Sequence, residues 1–433
     1  MILSNRTEAQ APGQSGRTRS LPTVSRLEIL TGLTREKRDY LAVLKSLRGK
    51  YGDRFLLPSP FRRHCMFHPD DVAGMLGSVQ HDFGRTKNYD PMKEILGEGL
   101  LTSEGETWRH QRQNVGPELS LARARDFASL SAKHAEEKIE SWDGAVDVFD
   151  EIHLLTLRTA GESFFGSRVE QDAEAIRTSL HAATKVAMGQ MMCPAFAAKR
   201  VSSYTQATIA AHAKKIESVF ERILASRSDS NGSNDLFARL LKSPRANPKS
   251  VRDQAVTFLL AGHETTSIAL SWHLALLARH PDIQTLVREA GPDSSIARAA
   301  LKETLRLFPS VPVVTRLVKS DFSFDGIAIA ADEQILFSSW VTHRHPDFWP
   351  KPDEFDPERF SRETPREGTY FPFGLGPREC VGKHFATEQM LAITSVILER
   401  YDLSIDPAVR FDVRPQATLQ PAIRFRISTS KRA

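Results

Sequence analysis

Phe371-Pro372-Phe373-Gly374-Leu375-Gly376-Pro377-Arg378-Glu379-Cys380-Val381-Gly382-Lys383-His384 is the stretch on which the reading of this chain turns. A loop rich in glycine and proline leads to one cysteine, and an apolar-periodic segment, 381–400, opens just after it. Glycine lets backbone approach a large flat ligand closely, because it has no Cβ. A helix N-terminus beside the cysteine presents free N–H groups and a positive dipole end, which favour thiolate over thiol. A thiolate held in this way can ligate haem iron axially.

Working outward, cysteine is scarce: Cys65, Cys193 and Cys380 are the three in 433 residues. An odd, low count excludes a disulfide scaffold and a four-cysteine zinc site, and it fits a reducing cytoplasm. Nothing around Cys65 or Cys193 reads as a ligand or nucleophile site. Lys+Arg is 58 against Asp+Glu 53, a charge of +5, with 26% charged and 40% hydrophobic residues. That is a globular composition. The excess of basic charge is too diffuse for nucleic acid, and no segment has the ~20 apolar residues of a membrane span. Residues 1–22 read as a disordered leader and 23–433 as one large unit. The pattern is mainly α with a small β-rich portion. A strand pair is expected in 53–69 and a helix from Ser250 to just before Pro281, with Ser250-Val-Arg-Asp253 as a capping box. A second helix is expected over 295–307. Strands are expected at 322–327 and 334–337, the last helix over 381–400, and a β-rich tail over 402–428.

The helix from Ser250 contains Ala261-Gly262-His263-Glu264-Thr265-Thr266. Gly, Glu and two Thr interrupt an apolar helix, and Gly costs about 1 kcal/mol there relative to Ala. A helix that breaks its own pattern invites a functional reading. Thr265 can bond back to the Ala261 carbonyl, and Ala261 and Gly262 leave room over a flat ligand. Glu303-Thr-Leu-Arg306 is an i,i+3 pair that, alone, reads as a surface ion pair of small value. Trp108-Arg-His-Gln-Arg112 places Trp108 and Arg112 on one helix face.

The segment around Cys380 resembles the haem-binding loop of the cytochrome P450 family, Phe-x-x-Gly-x-Arg-x-Cys-x-Gly. Phe373, Gly376, Arg378, Cys380 and Gly382 fill every fixed position, a match expected by chance on the order of once in ten thousand chains. The other segments are similar to further family motifs, in the family's order from 108 to 382. The resemblance implies a mainly α P450 fold binding haem b, with Cys380 as iron ligand. It implies proton delivery by Glu264 and hydrogen bonding of dioxygen by Thr265, with Ala261 and Gly262 beside the haem. Trp108, Arg112, Arg316 and Arg378 are implied partners of the haem propionates. Glu303 and Arg306 are implied to form a structural network with Arg359 of Phe355-Asp-Pro-Glu-Arg359-Phe360.

The implied reaction inserts one oxygen atom of dioxygen into a lipophilic small molecule: a terpenoid, fatty acid or polyketide-like compound. Electrons are expected to come from NAD(P)H indirectly, through a ferredoxin and its reductase, to a monomeric cytoplasmic enzyme with no integral membrane span. Candidate substrate contacts are Met188, Met191, Met192, Phe196, Phe258, Val313, Val314 and Leu419. Competing readings are a peroxide-using or isomerising relative of the same fold, and a non-catalytic haem sensor or carrier. In a passive binder the Glu264-Thr265 pair has no evident use.

Overall fold

Asn247 starts the longest helix of the computed structural model, Pro248–Arg279, by accepting from the Lys249 and Ser250 N–H groups. Proline at the first helical position suits this start, since its missing N–H would have no helical partner. The expected capping box is therefore corrected. Ser250 lies inside the first turn, and Asp253 instead accepts from the Glu98 N–H at 2.9 Å. The helix stops at His280, just before Pro281.

The structure describes residues 19–432 apart from 37–38, 60–61, 79–82, 87–88, 167–168, 180–181, 183–184, 186–202, 227–234 and 243–246. Within the stretch expected as leader, residues 1–18 lie outside the described residues. Arg19–Pro22 are held against the body: the Arg19 N–H donates to the Gly326 carbonyl at 2.8 Å and the Leu56 N–H to the Pro22 carbonyl at 2.9 Å.

The long central helix is wrapped by others. Val148–Phe165 packs along it, and Leu121–Ile139 packs on Lys383–Arg400, the helix that follows Cys380. Trp272 anchors the main core. Its ring stacks on Phe308 at 4.2 Å, and its indole N–H donates to the Leu419 carbonyl at 2.9 Å. A buried indole is stable only with such a partner. A second core gathers Phe164, Phe258 and Phe385 toward the start of the central helix.

The sheets are small. A five-stranded sheet runs in the order Arg54–Leu57, Arg63–Met66, Gln334–Phe337, Val314–Val318, Phe83–Gly84. Its first pair is the expected one, in antiparallel register Phe55 to Cys65. Cys65 is buried in this sheet. The hairpin Phe322–Phe324 with Ile327–Ile329 turns at Asp325-Gly326, both at positive φ (48° and 76°). A tail hairpin pairs Val413–Pro415 with Leu419–Pro421. Among the described residues, no helix is long and apolar enough to cross a membrane.

Candidate haem site

The loop before the helix Lys383–Arg400 is folded by its own backbone. The Gly374 N–H donates to the Phe371 carbonyl at 3.0 Å, and the Cys380 N–H to the Phe373 carbonyl at 2.8 Å. Gly374 and Gly376 hold φ of 78° and 74°, which a side chain would strain. Gly382 is the N-cap. The Cys380 side chain is exposed on one side and enclosed by protein on the others. That enclosure pushes its thiol pKa up, while the Gly382 N–H, Arg112 and Lys383 pull it down. A cation in front of the thiol, such as a metal, would oppose that rise and favour thiolate.

Arginines gather near this loop. Arg316, on the strand Val314–Val318, is buried, and the loss of water together with the charges of Arg85 and Arg378 pushes its pKa down to about 10. Burial lowers Arg378 to about 10 as well. The Arg378 guanidinium lies 4.3 Å over the Trp108 ring, pairs with Glu104 at 3.0 Å and donates to the Ser103 carbonyl at 3.1 Å. Glu104 is already shared with Lys319, at 3.3 Å. Among the described residues, the Nε of Arg85 has no hydrogen-bond partner. Such a buried excess of cations is costly without an anion. Arg112 donates to the Glu379 carbonyl at 2.7 Å, one residue from Cys380.

The interruption in the central helix is built from hydroxyls. Thr265 Oγ1 donates to the Ala261 carbonyl at 2.9 Å, as its spacing predicts, and Thr266 Oγ1 to the Gly262 carbonyl at 2.8 Å. The Thr265 carbonyl in turn accepts from the Ser310 hydroxyl at 2.7 Å. Glu264 is half-buried and accepts at Oε1 from the Thr418 hydroxyl at 3.0 Å and the Gln420 amide at 3.5 Å. Burial raises its carboxyl pKa above the ordinary range, against the pull of those two donors. Gly262 also packs closely against a neighbouring helix. A Cβ there would meet Phe164 at 3.3 Å, so its bare face serves the packing of Val148–Phe165 on the central helix.

Behind the loop, Glu303 and Arg306 are wholly buried rather than at the surface. Arg306 bonds both Glu303 oxygens, at 2.7 and 2.8 Å, and Arg359 Nε donates to Glu303 at 2.9 Å. The remaining Arg306 protons go to the carbonyls of His343, Pro352 and Glu354. His343 Nε2 accepts from the Phe371 N–H at 2.9 Å, which ties this network to the cysteine loop.

Of the candidate substrate contacts, Met188, Met191, Met192 and Phe196 lie outside the described residues. Val313 and Val314 are half-buried next to Arg316. Two further candidates are buried. Phe258 packs against Phe164 in the second core, and Leu419 is fully enclosed in the main core. Sequence reasoning missed Glu104, Ser310, His343 and Gln420. None of them stands in a local pattern that signals its contact.

The residues present fit a haem: Cys380 would hold the iron, and Arg316, Arg378 and Arg85 would receive the propionates that their uncompensated charge calls for. The class so defined is a haem-thiolate protein. A family model described as Cytochrome P450 matches residues 22–427. Cyclooctat-9-en-7-ol 5-monooxygenase of Streptomyces melanosporofaciens is 27% identical over 79% of this chain and 81% of its own length. Cyclooctatin synthase of the same organism is 27% identical over 89% and 90%. In structure, CYP175A1 from Thermus thermophilus aligns with a TM-score of 0.77 and 26% identity, covering 94% of this chain and 100% of that one. The chain belongs to the cytochrome P450 family. It is a monooxygenase using haem b, with electrons that originate from NAD(P)H and arrive through a redox partner.

Proposed function

We propose that this enzyme oxygenates a lipophilic small molecule of the terpenoid, fatty acid or polyketide-like kind, with electrons from a ferredoxin and its reductase, in the cytoplasm. The observation that carries the reading is the pairing of a Cys380 thiol open on one side with a half-buried Glu264-Thr265 pair on the central helix. Haem, when bound, supplies dioxygen activation, and thiolate ligation favours O–O cleavage. The chain supplies the rest. Gly382 N–H and Arg112 support negative charge on Cys380. Glu264, whose pKa burial raises, keeps a proton to a higher pH than an exposed carboxyl would and can deliver it. Thr265 presents a hydroxyl whose proton is parked on the Ala261 carbonyl.

Support for the substrate class comes from the Streptomyces relative whose name describes oxygenation of an unsaturated alcohol. The half-buried Val313 and Val314 suit an apolar ligand near Arg316. A ferredoxin is favoured by the +5 charge and by two basic side chains, Arg109 on the helix of Arg112 and Lys383 beside the cysteine loop. Each is paired locally, with Glu106 and with Glu379. Free Cys65 and Cys380 suit a reducing compartment.

The test is a carbon monoxide difference spectrum of the reduced protein. A strongly red-shifted Soret band, lost in Cys380→Ala, is expected. A histidine-like band in the wild type would defeat the reading. Spectral titration with terpenoids and fatty acids then identifies the substrate class.

A further inference from the structure

The carboxyl of Glu264 is held by the tail hairpin rather than by a cation. Thr418 Oγ1 and Gln420 Nε2 both reach Oε1, at 3.0 and 3.5 Å. Among the described residues, Glu264 takes part in no ion pair. Burial and those two donors, rather than a neighbouring charge, set the pKa of its carboxyl. His263, one residue earlier, bonds to the Leu259 carbonyl and faces the His153 ring. Ser310 is neutral and bonds to the Thr265 carbonyl. Arg414, on the hairpin itself, is exposed.

The hairpin is itself fixed. The Leu419 N–H donates to the Ser310 carbonyl at 3.0 Å, and the Leu419 carbonyl accepts from Trp272 at 2.9 Å. Leu419, between Thr418 and Gln420, is thus locked to the central helix and to the loop that braces Thr265. Alternation along a strand then turns Thr418 and Gln420 to one face, toward Glu264.

We propose that Thr418 and Gln420 are positioning residues that hold the Glu264 carboxyl in place for proton delivery, a proposal that rests on the reading of Glu264 given above. Both donors favour the ionised carboxylate, so removing either should make the carboxyl harder to ionise. Thr418, with the shorter bond, should matter more.

The experiment titrates Glu264 by difference infrared spectroscopy on the full-length ferric holoenzyme, with Glu264→Gln used to assign the carboxyl band. The midpoint should rise in Thr418→Val, rise less in Gln420→Leu, and return in Thr418→Ser, which restores the hydroxyl. Product formed per electron should fall about fivefold in Thr418→Val, the size of one lost hydrogen bond. The pH dependence of that yield should move in the same direction as the midpoint. A midpoint unmoved in both Thr418→Val and Gln420→Leu overturns the proposal. A moved midpoint, with Glu264→Gln at full product yield at every pH, overturns the reading of Glu264 itself, and the proposal falls with it.

Discussion

Arg306 and His343 hold each other through their backbones. Arg306 Nη1 donates to the His343 carbonyl at 2.8 Å, and His343 Nδ1 lies 3.2 Å from the Arg306 carbonyl. The Phe371 N–H donates to His343 Nε2, which makes Nε2 the acceptor and places the ring proton on Nδ1. A buried guanidinium is thereby linked to the first residue of the cysteine loop.

Arg306→Ala leaves the Glu303 side chain wholly buried and bonded to Arg359 alone among side chains. The cost should be about 3–5 kcal/mol, because breaking a buried pair strands its partner. Arg306→Lys should also destabilise, since an ammonium cannot serve two carboxylate oxygens and three carbonyls at once. Urea unfolding measures both, and haem content after purification should fall in parallel. Unfolding midpoints equal to wild type would remove the network from the stability of the fold.

Arg316→Gln should separate haem binding from folding. The buried Arg316 is opposed by the charges of Arg85 and Arg378, so its removal relieves repulsion in the haem-free chain. Thermal unfolding of the apoprotein should be unchanged or higher, while haem transfer to apomyoglobin speeds up. Transfer no faster than from the wild type would contradict a propionate role.

Thr265→Ala should retain substrate binding spectra and lose product per electron on the order of tenfold, with hydrogen peroxide rising instead. The Thr265 backbone remains fixed by Ser310, so the effect reports the hydroxyl. Full product yield with no added peroxide would exclude Thr265 from proton delivery.

Two glycines should respond differently to alanine. Gly262→Ala places a methyl group 3.3 Å from the edge of Phe164. Slight crowding is then offset by the roughly 1 kcal/mol that alanine gains in a helix, and the melting temperature should barely move. Gly99→Ala drives it into Thr257 Oγ1 and to 2.7 Å from the Asp253 carbonyl, and should cost about 1–3 kcal/mol. Equal effects in thermal melts would refute this assignment of space.

Acid should unfold the protein through its buried histidines. Burial lowers His263, His273 and His343 from 6.5 to about 3. A depressed base binds fewer protons folded than unfolded. Its stabilising contribution is therefore complete above pH 6.5 and lost progressively as pH falls toward 3. Stability measured by urea should fall steeply across that window. Gln at 263 and 273 should flatten the slope; an unchanged slope would assign acid sensitivity to other groups.

Much of the architecture was legible because it depends on local pattern. Proline and glycine mark where helices stop, so the ends at His280 and Leu307 followed from Pro281 and Pro309. The central helix starts at Asn247 rather than at Ser250, although both residues are good caps. Which one acts depends on where the preceding chain enters.

The sequence by itself determined the family and singled out Cys380 as the candidate iron ligand, since five fixed residues, Cys380 among them, constrain one another over ten positions. It also determined the back-bond from Thr265, because a hydroxyl four residues past a carbonyl lies beside it in any helix. Only the tertiary structure decided that the Glu303–Arg306 pair is buried, that Gly262 faces Phe164, and that Glu264 is held by Thr418 and Gln420. Those facts depend on which elements meet. The hairpin that reaches Glu264 lies about 150 residues away along the chain, and contacts at that separation are set by how the whole core packs rather than by any local pattern.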